Sequence, residues 1–270
     1  MSANHFPLRL PPLHLLACPK CQANCEQGFS PREQKCLRCG QVYFDLAGMP
    51  CWFANGVQQK SLWNTQLGLT LQAAAQKLCH YQQLKNRPDI LPSLSKRLNE
   101  IELGLQQVYL SIAQLMAQAG LDGQIDPELA EHCPNNLLHF LDLLLRDWAW
   151  DMAPSQPQIN SENTQGFNRI ERALAASGGS DNVGDLLVLG AGAGRLSWDI
   201  HRLIKPATTL ALDINPLLAI AAHHLVALQK PLALTELPAD LQANLPLQHY
   251  WQLQVPDLNS SRRPASSVLI

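Results

Sequence analysis

The 270-residue sequence predicts an α/β chain with three parts in series, and three observations set that reading. Two Cys-x-x-Cys pairs stand near the start, Cys18/Cys21 and Cys36/Cys39. Strand signals then vanish between about residues 60 and 150, where apolar residues recur at helical spacing. Beyond residue 184 an apolar run, a glycine-rich turn, an amphipathic segment and a second apolar run follow one another, the order of a parallel strand-helix-strand crossover. Residues 1–56 are therefore read as a zinc ribbon and 57–160 as a helical region. Residues 161–270 read as the N-terminal half of a Rossmann-like domain, an incomplete core.

Composition narrows the partners. A formal charge of −2 gives no clear nucleic-acid signal, since the chain lacks the global positive field that such binding draws on. No apolar run approaches the ~20 residues of a membrane span. The opening MSANHFPLRLPPLHLLACPK is too broken by prolines for a secretory signal. The expectation is a cytoplasmic chain with no membrane partner, in a reducing compartment where paired cysteines mean metal.

CPKC and CLRC can close a tetrahedral site of four thiolates, Cys18, Cys21, Cys36 and Cys39, around Zn²⁺. In each knuckle backbone N–H groups turn toward the sulfurs, and Gly40 supplies the permissive backbone such a turn favours. A closed set of four has no open coordination position, so the metal is structural. Cys25 and Cys51 lack partners at ligand spacing and read as small buried hydrophobes; Cys79 and Cys133, on helical patterns, read as structural. The stretches LLACPKC and CLRCGQVYFDLAGMPCWF resemble a small zinc-ribbon family whose eukaryotic members activate tRNA, rRNA and release-factor methyltransferases. Tyr43, Gly48 and Pro50 match that family's tail, and the likeness covers about residues 13–53. It implies a protein partner reached through the ribbon.

In the middle, Leu94, Leu98, Ile101, Leu105 and Val108 recur at three and four residues, with Leu115 and Met116 extending the set, which predicts an amphipathic helix. Asn135-Asn136 offers an N-cap for LLHFLDLLLRDWAWD, apolar on almost every side and so buried. Arg146 and Asp147 fall in its last turn beside Trp148 and Trp150. Arg146 either complements the helix C-terminus or reaches a ligand. SQPQINSENTQ reads as a linker, GFNRIERALAAS as a short helix and GGSDNVGD as a turn.

LLVLG reads as a short buried strand. Leu196, Ile200, Leu203 and Ile204 form one face of the next helix, which Pro206 stops; TLALDIN is a second strand carrying Asp213 at its carboxyl end. Asn215-Pro216 caps and starts a further helix, LLAIAAHHLVALQ. The glycines at 190, 192 and 194 fail the dinucleotide fingerprint G-x-G-x-x-G, because Arg195 stands where the third glycine belongs. S-adenosylmethionine suits the loop better, offering a ribose to Asp213 and a single carboxylate in place of a pyrophosphate. Arg195 then holds that carboxylate or braces the loop. The alternative is a glycine turn that packs two strands and binds nothing.

VLGAGAGRLSWDI, with RDW upstream and D-x-N-x-x-x-A downstream, resembles the carnosine N-methyltransferase family over about residues 135–228. Gly190, Ala191, Gly192, Gly194, Arg195, Leu196 and Trp198 match the family's loop. Arg146, Asp147 and Trp148 match its helix end, with Ala149 replacing a serine. The resemblance implies a class I S-adenosylmethionine-dependent methyltransferase acting on nitrogen of a small imidazole, amine or peptide. It further implies cofactor contacts from Arg146, Gly192, Arg195 and Asp213, the last an Asp where many members carry Glu.

A sheet of this class has seven strands, and two are clear; LALTEL and HYWQLQV read as one or two short strands more. The family's adenine-contacting acid and its acceptor-binding His and Tyr are not found. The tail PDLNSSRRPASSVLI breaks every pattern. These gaps predict a chain truncated or frame-shifted after about residue 255, weak in cofactor binding and inactive. No catalytic base is assigned, and His223 and His224 read as packing or surface residues. Two alternatives stand beside this reading: a ribosomal RNA base methyltransferase that starts with a zinc ribbon, and a non-catalytic regulatory subunit docking on a methyltransferase.

Overall fold

The structure, a computed structural model, describes residues 13–31, 33–134, 137–150, 162–177, 183–237, 249–255 and 267–269. After a 3-10 turn at Leu13–Leu15, two cysteine knuckles frame α1 (Cys25–Gly28) and the antiparallel pair β1 (Phe29–Ser30) and β2 (Lys35–Cys36). A hairpin of β3 (Phe44–Leu46) and β4 (Met49–Cys51) completes the ribbon. Its two-residue turn places Ala47 and Gly48 at φ +55° and +86°. Both residues of a tight hairpin turn need positive φ, which leaves Ala47 strained and Gly48 at ease. Asp45 Oδ1 accepts the Gly48 N–H at 3.0 Å and pins the turn.

Two long helices follow, α2 (Gly56–Lys85) and α3 (Pro92–Gln118). Asn55 caps α2 by accepting the Gln58 N–H at 3.3 Å, and Pro92 starts α3 where no intrahelical donor is needed. The predicted apolar stripe of α3 is buried from Leu98 to Met116, but Leu94 stands 49 % exposed near the helix start. Near the joint of the two helices Lys85 Nζ donates to Glu102 Oε2 at 2.7 Å and Gln82 to Oε1 at 2.8 Å. Gly68 of α2 lies against the backbone of Gly123, where a methyl group would overlap the carbonyl oxygen. Only glycine permits that approach.

A short α4 (Pro127–Ala130) and a 3-10 turn at Leu137–Phe140 lead into α5 (Leu141–Trp148). The predicted Asn135-Asn136 cap lies outside the described residues. α5 is buried through Leu144, Leu145 and Trp148, in keeping with its apolar circumference. α6 (Glu162–Ala176) begins earlier than the sequence suggests, absorbing the end of the polar stretch read as linker; residues 155–161 of that stretch lie outside the described residues.

The last part holds β5 (Asp185–Leu189), α7 (Arg195–Ile204), β6 (Thr208–Leu212) and α8 (Pro216–Ala222), which runs into a π-helical turn, His223–Ala227. β5 and β6 pair in parallel, as the crossover reading requires. Asn215 caps α8 by accepting the Leu218 N–H at 3.1 Å. α7 buries Ile200 and Ile204 together with Ser197, Trp198 and His201, and His201 Nδ1 meets Thr209 Oγ1 of β6 at 2.8 Å.

Three expectations change. β5, read as a buried strand, leaves Leu187 and Leu189 at 56 % and 71 % exposure. Among the described residues it forms one edge of the sheet and one of its faces is uncovered, so the apolar run does not report burial. β7 (Leu232–Glu236) and β8 (His249–Leu253) do form, but as an antiparallel hairpin apart from the parallel strands. The tail contributes β9 (Ser267–Leu269), parallel to β6, so the sheet order among the described residues is β5-β6-β9. Three residues, Ser267, Val268 and Leu269, suffice for a short edge strand once β6 offers its ladder. The chain is thus a mixed helix-and-strand protein with small sheets.

One apolar core crosses these parts. Leu46, Met49 and Cys51 of the β3–β4 hairpin join Trp63, Leu67, Met116, Trp148, Leu217 and Leu225 in a continuous cluster. The ribbon keeps a separate nucleus of Cys18, Cys25, Phe29, Cys36 and Tyr43.

Candidate metal centre and glycine-loop cavity

The four predicted cysteines converge: the Sγ atoms of Cys18, Cys21, Cys36 and Cys39 all lie within 4.8 Å of one another. The close pairs are Cys18–Cys39 at 3.6 Å and Cys21–Cys36 at 3.7 Å. Four sulfurs at ~2.3 Å from one zinc ion stand ~3.8 Å apart at the tetrahedron's edges, so the set fits the metal.

The backbone explains the convergence. Every bond of the first knuckle recurs in the second. Cys18 N–H donates to Ala23 O as Cys36 N–H donates to Gln41 O, both at 2.8 Å. Gln22 N–H closes on Cys18 O at 2.8 Å as Gly40 N–H closes on Cys36 O at 2.9 Å. The turn needs a left-handed residue, and Gln22 and Gly40 supply it at φ +59° and +72°. Symmetry fails one step outward. Tyr43 occupies the place that Cys25 holds in the first knuckle, as Tyr43 N–H to Gln34 O and Cys25 N–H to Leu16 O show. The Tyr43 hydroxyl lies 2.9 Å from Cys18 Sγ, and Trp52 stacks on its ring at 4.8 Å.

Electrostatics in the cluster favour a cation. Burial opposes ionisation of Cys18, but the Tyr43 hydroxyl and the N–H groups of Cys21 and Lys20 outweigh it and bring the thiol down to about 6. Cys21 moves the other way, to about 12; the Ala23 N–H favours its thiolate, yet burial and the three neighbouring sulfurs prevail. Four thiolates share this space only with a positive ion among them. Cys25 and Cys51 are buried, with thiols pushed up to about 11 and about 12 by desolvation. Cys79 is exposed and accepts from Gln83.

The second site forms where β5 and β6 end. Gly190, Gly192 and Gly194 take φ of +63°, +59° and +85°, so each uses the freedom that glycine alone has cheaply. Asp213 binds the loop: its Oδ2 accepts the Gly192 N–H and its Oδ1 the Asn215 N–H, each at 2.7 Å. Each oxygen retains a lone pair for a further donor.

The RDW segment lies against the same loop. Trp148 Nε1 donates to Ala193 O at 2.7 Å, and Arg195 Nη1 donates to Asp147 O at 3.2 Å. The Arg195 guanidinium sits 5.6 Å from the Trp148 ring centre and pairs with Asp199 at 2.7 Å. Arg146 donates through Nε and Nη2 to Asp147 Oδ1 at 2.9 and 2.8 Å and through Nη1 to Glu162 at 3.3 Å. Asp147, matched in the sequence as part of the RDW triplet but given no contact there, is buried beside Gly192. Burial pushes its carboxyl up while Arg146 pulls against that shift.

A cavity of about 500 Å³ opens beside Gly190 and Asp213. Its walls come from β6 and its following turn (Leu210, Leu212, Ile214), from the ribbon (Pro19, Met49, Trp52, Phe53) and from Trp63 of α2. Among the described residues Asp213 is its one charged side chain, and no Lys or Arg of theirs lines it. Arg195 borders a different cavity, about 390 Å³, with Phe167, Asp199 and Arg202, and Arg146 borders neither. The structure therefore brings Gly190 and Asp213 into one cavity and uses the two arginines behind the loop. The aromatic wall went unpredicted; the run CWF at the end of the ribbon was its trace in the sequence.

No family model and no curated protein sequence matches this chain. No helix among the described residues is long and apolar enough to cross a membrane.

Proposed function

We propose that the chain is an S-adenosylmethionine-dependent methyltransferase of Rossmann-like class I type, acting on nitrogen of a small imidazole, amine or peptide. The observation that carries this reading is the cavity Gly190 and Asp213 share, whose only charge among the described residues is one carboxylate. A dinucleotide brings a pyrophosphate that needs a compensating cation or a full N–H cradle, and the Gly192 N–H is already given to Asp213. A purine nucleoside carrying a sulfonium needs neither, and it favours an acidic, aromatic surrounding.

When bound, S-adenosylmethionine would supply an activated methyl group that passes in line from the sulfonium sulfur to the acceptor nitrogen, with S-adenosylhomocysteine as the leaving group. The chain's own part is orientation. Asp213 accepts from the ribose hydroxyls through its remaining lone pairs, while its bonds to Gly192 and Asn215 fix where it stands. Arg146 and Arg195 act as positioning residues in this reading: Arg146 holds Asp147 beside Gly192, and Arg195 ties α7 to the RDW turn. The zinc ion, held by four thiolates, takes no part in the chemistry.

Calorimetric titration of the full chain with S-adenosylmethionine tests the reading. Micromolar binding that Asp213→Ala abolishes upholds it, and no heat at millimolar ligand overturns it. A second reading, a non-catalytic subunit docking on a methyltransferase, draws on the exposed Leu187, Leu189 and Ile214 along the strand ends. Co-purification with a methyltransferase and no cofactor binding of its own would select it.

A further inference from the structure

The ribbon is not an appendage to the glycine-loop cavity. Pro19, inside the first knuckle between Cys18 and Lys20, faces that cavity, as do Met49, Trp52 and Phe53. Trp52 also stacks on Tyr43, whose hydroxyl touches the ligand sulfur of Cys18. A short chain of contacts therefore runs from the sulfurs to the cavity surface. Two further contacts tie the ribbon to the last part of the chain: His223 Nε2, in the π-helical turn after α8, lies 3.2 Å from Ala47 O in the β3–β4 turn, and His14 lies 3.9 Å from Asp185 at the start of β5.

We infer that the metal-loaded ribbon is one wall of the ligand cavity, so that metal at Cys18, Cys21, Cys36 and Cys39 controls binding of a phosphate-free aromatic ring beside Trp52, Phe53 and Trp63. The physical reason is that the knuckle half of the ribbon, residues 13–43, has little besides its metal to hold it, whereas the β3–β4 hairpin is anchored in the main core. The knuckles' own nucleus is five residues, and segments of this size fold when their thiolates are bridged. Without the ion, Pro19 loses its fixed position and Trp52 its stacking partner Tyr43, so the cavity loses part of that wall. The ligand class follows from the lining: three aromatic rings and one acid accept a purine or an imidazole ring, neutral or cationic, and repel phosphates. This inference rests on the methyltransferase reading only for the choice of probe.

The experiment titrates S-adenosylhomocysteine into the full chain, zinc-loaded, chelator-stripped and zinc-restored, and into zinc-loaded Trp52→Ala. Stripping is expected to weaken binding about tenfold or more and restoration to recover it. Trp52→Ala should keep one zinc per chain and still lose about tenfold, the scale of a lost aromatic contact. Equal affinity with and without metal overturns the inference, as does an unaffected Trp52→Ala. If no form binds, the cofactor reading has failed, and the wall is then judged by amide exchange without ligand. Faster exchange over residues 210–219 on metal removal, with α3 unchanged, upholds it; unchanged exchange there overturns it. Should stripping loosen α3 as well, zinc-loaded Trp52→Ala decides by the same exchange measurement.

Discussion

The ribbon and the glycine loop are both backbone turns built to manage charge, and they are secured in opposite ways. In the ribbon two knuckles with the same hydrogen bonds bring four sulfurs together, close enough for a metal ion to supply the binding force. In the glycine loop a single carboxylate, Asp213, ties the turn to the next strand end while Trp148 and Arg195 brace it from behind. The ribbon therefore depends on an ion from outside, and the loop on partners far along the chain. Removing one element should collapse the first and only soften the second.

The largest contrast comes from metal removal. Chelation, or Cys36→Ser, should unfold the two cysteine knuckles outright while the β3–β4 hairpin stays on the main core, since structural zinc contributes on the order of 10 kcal/mol to such segments. Metal content and the near-ultraviolet circular dichroism of the Phe29–Tyr43–Trp52 cluster would read it, and an unchanged spectrum would place the ribbon's stability elsewhere. Asp213→Ala should be milder, about 2 kcal/mol in a urea titration. It deletes two charge-assisted bonds in a half-buried site, and the Gly192 and Asn215 amides should then exchange faster. Gly68→Ala provides a comparison outside both sites: forcing a methyl group against the Gly123 backbone should destabilise by about 1–3 kcal/mol without altering metal content.

Smaller changes refine the picture. Gln22→Gly, which relieves a left-handed side-chain residue in the first knuckle, should raise the midpoint by roughly 0.5–1 kcal/mol. Gly40→Ala in the matching place should lower it. If both act alike, the two knuckles are not equivalent under load. Last, Lys85 holds the Glu102 carboxyl below the usual carboxylate range. Its contribution is complete above the unfolded value of about 4.3 and is lost as pH falls through the lowered folded value. Urea midpoints measured from pH 7 to 3 should therefore fall more steeply for the wild type than for Glu102→Gln.

The same contrast explains what the sequence disclosed. A metal site made of two local pairs announces itself, because each Cys-x-x-Cys is a closed turn before any tertiary contact forms. The strand, loop and helix around Gly190–Gly194 were equally local and equally legible. Asp213's bond to Gly192 and the approach of Arg146–Trp148 join distant segments; a resemblance could suggest their meeting, but spacing could not. Trp52 and Trp63 were hidden because an aromatic residue at helical or strand spacing reads as core, and only the assembled walls show that these two border a cavity. The exposure of Leu187 and Leu189 was hidden for a related reason: an apolar strand says what it prefers, not whether a layer covers it.

Gly68 and Gly123 meet backbone to backbone, one on α2 and one on the loop after α3. A contact without side chains has no rotamers to adjust, so it acts as a keyway that stops α2 from turning about its axis. Trp63 projects from the same helix toward the cavity wall. The direction in which Trp63 leaves the helix is accordingly fixed by two residues that never touch the cavity, while Phe44 and Phe53 pack edge-on against the ring itself.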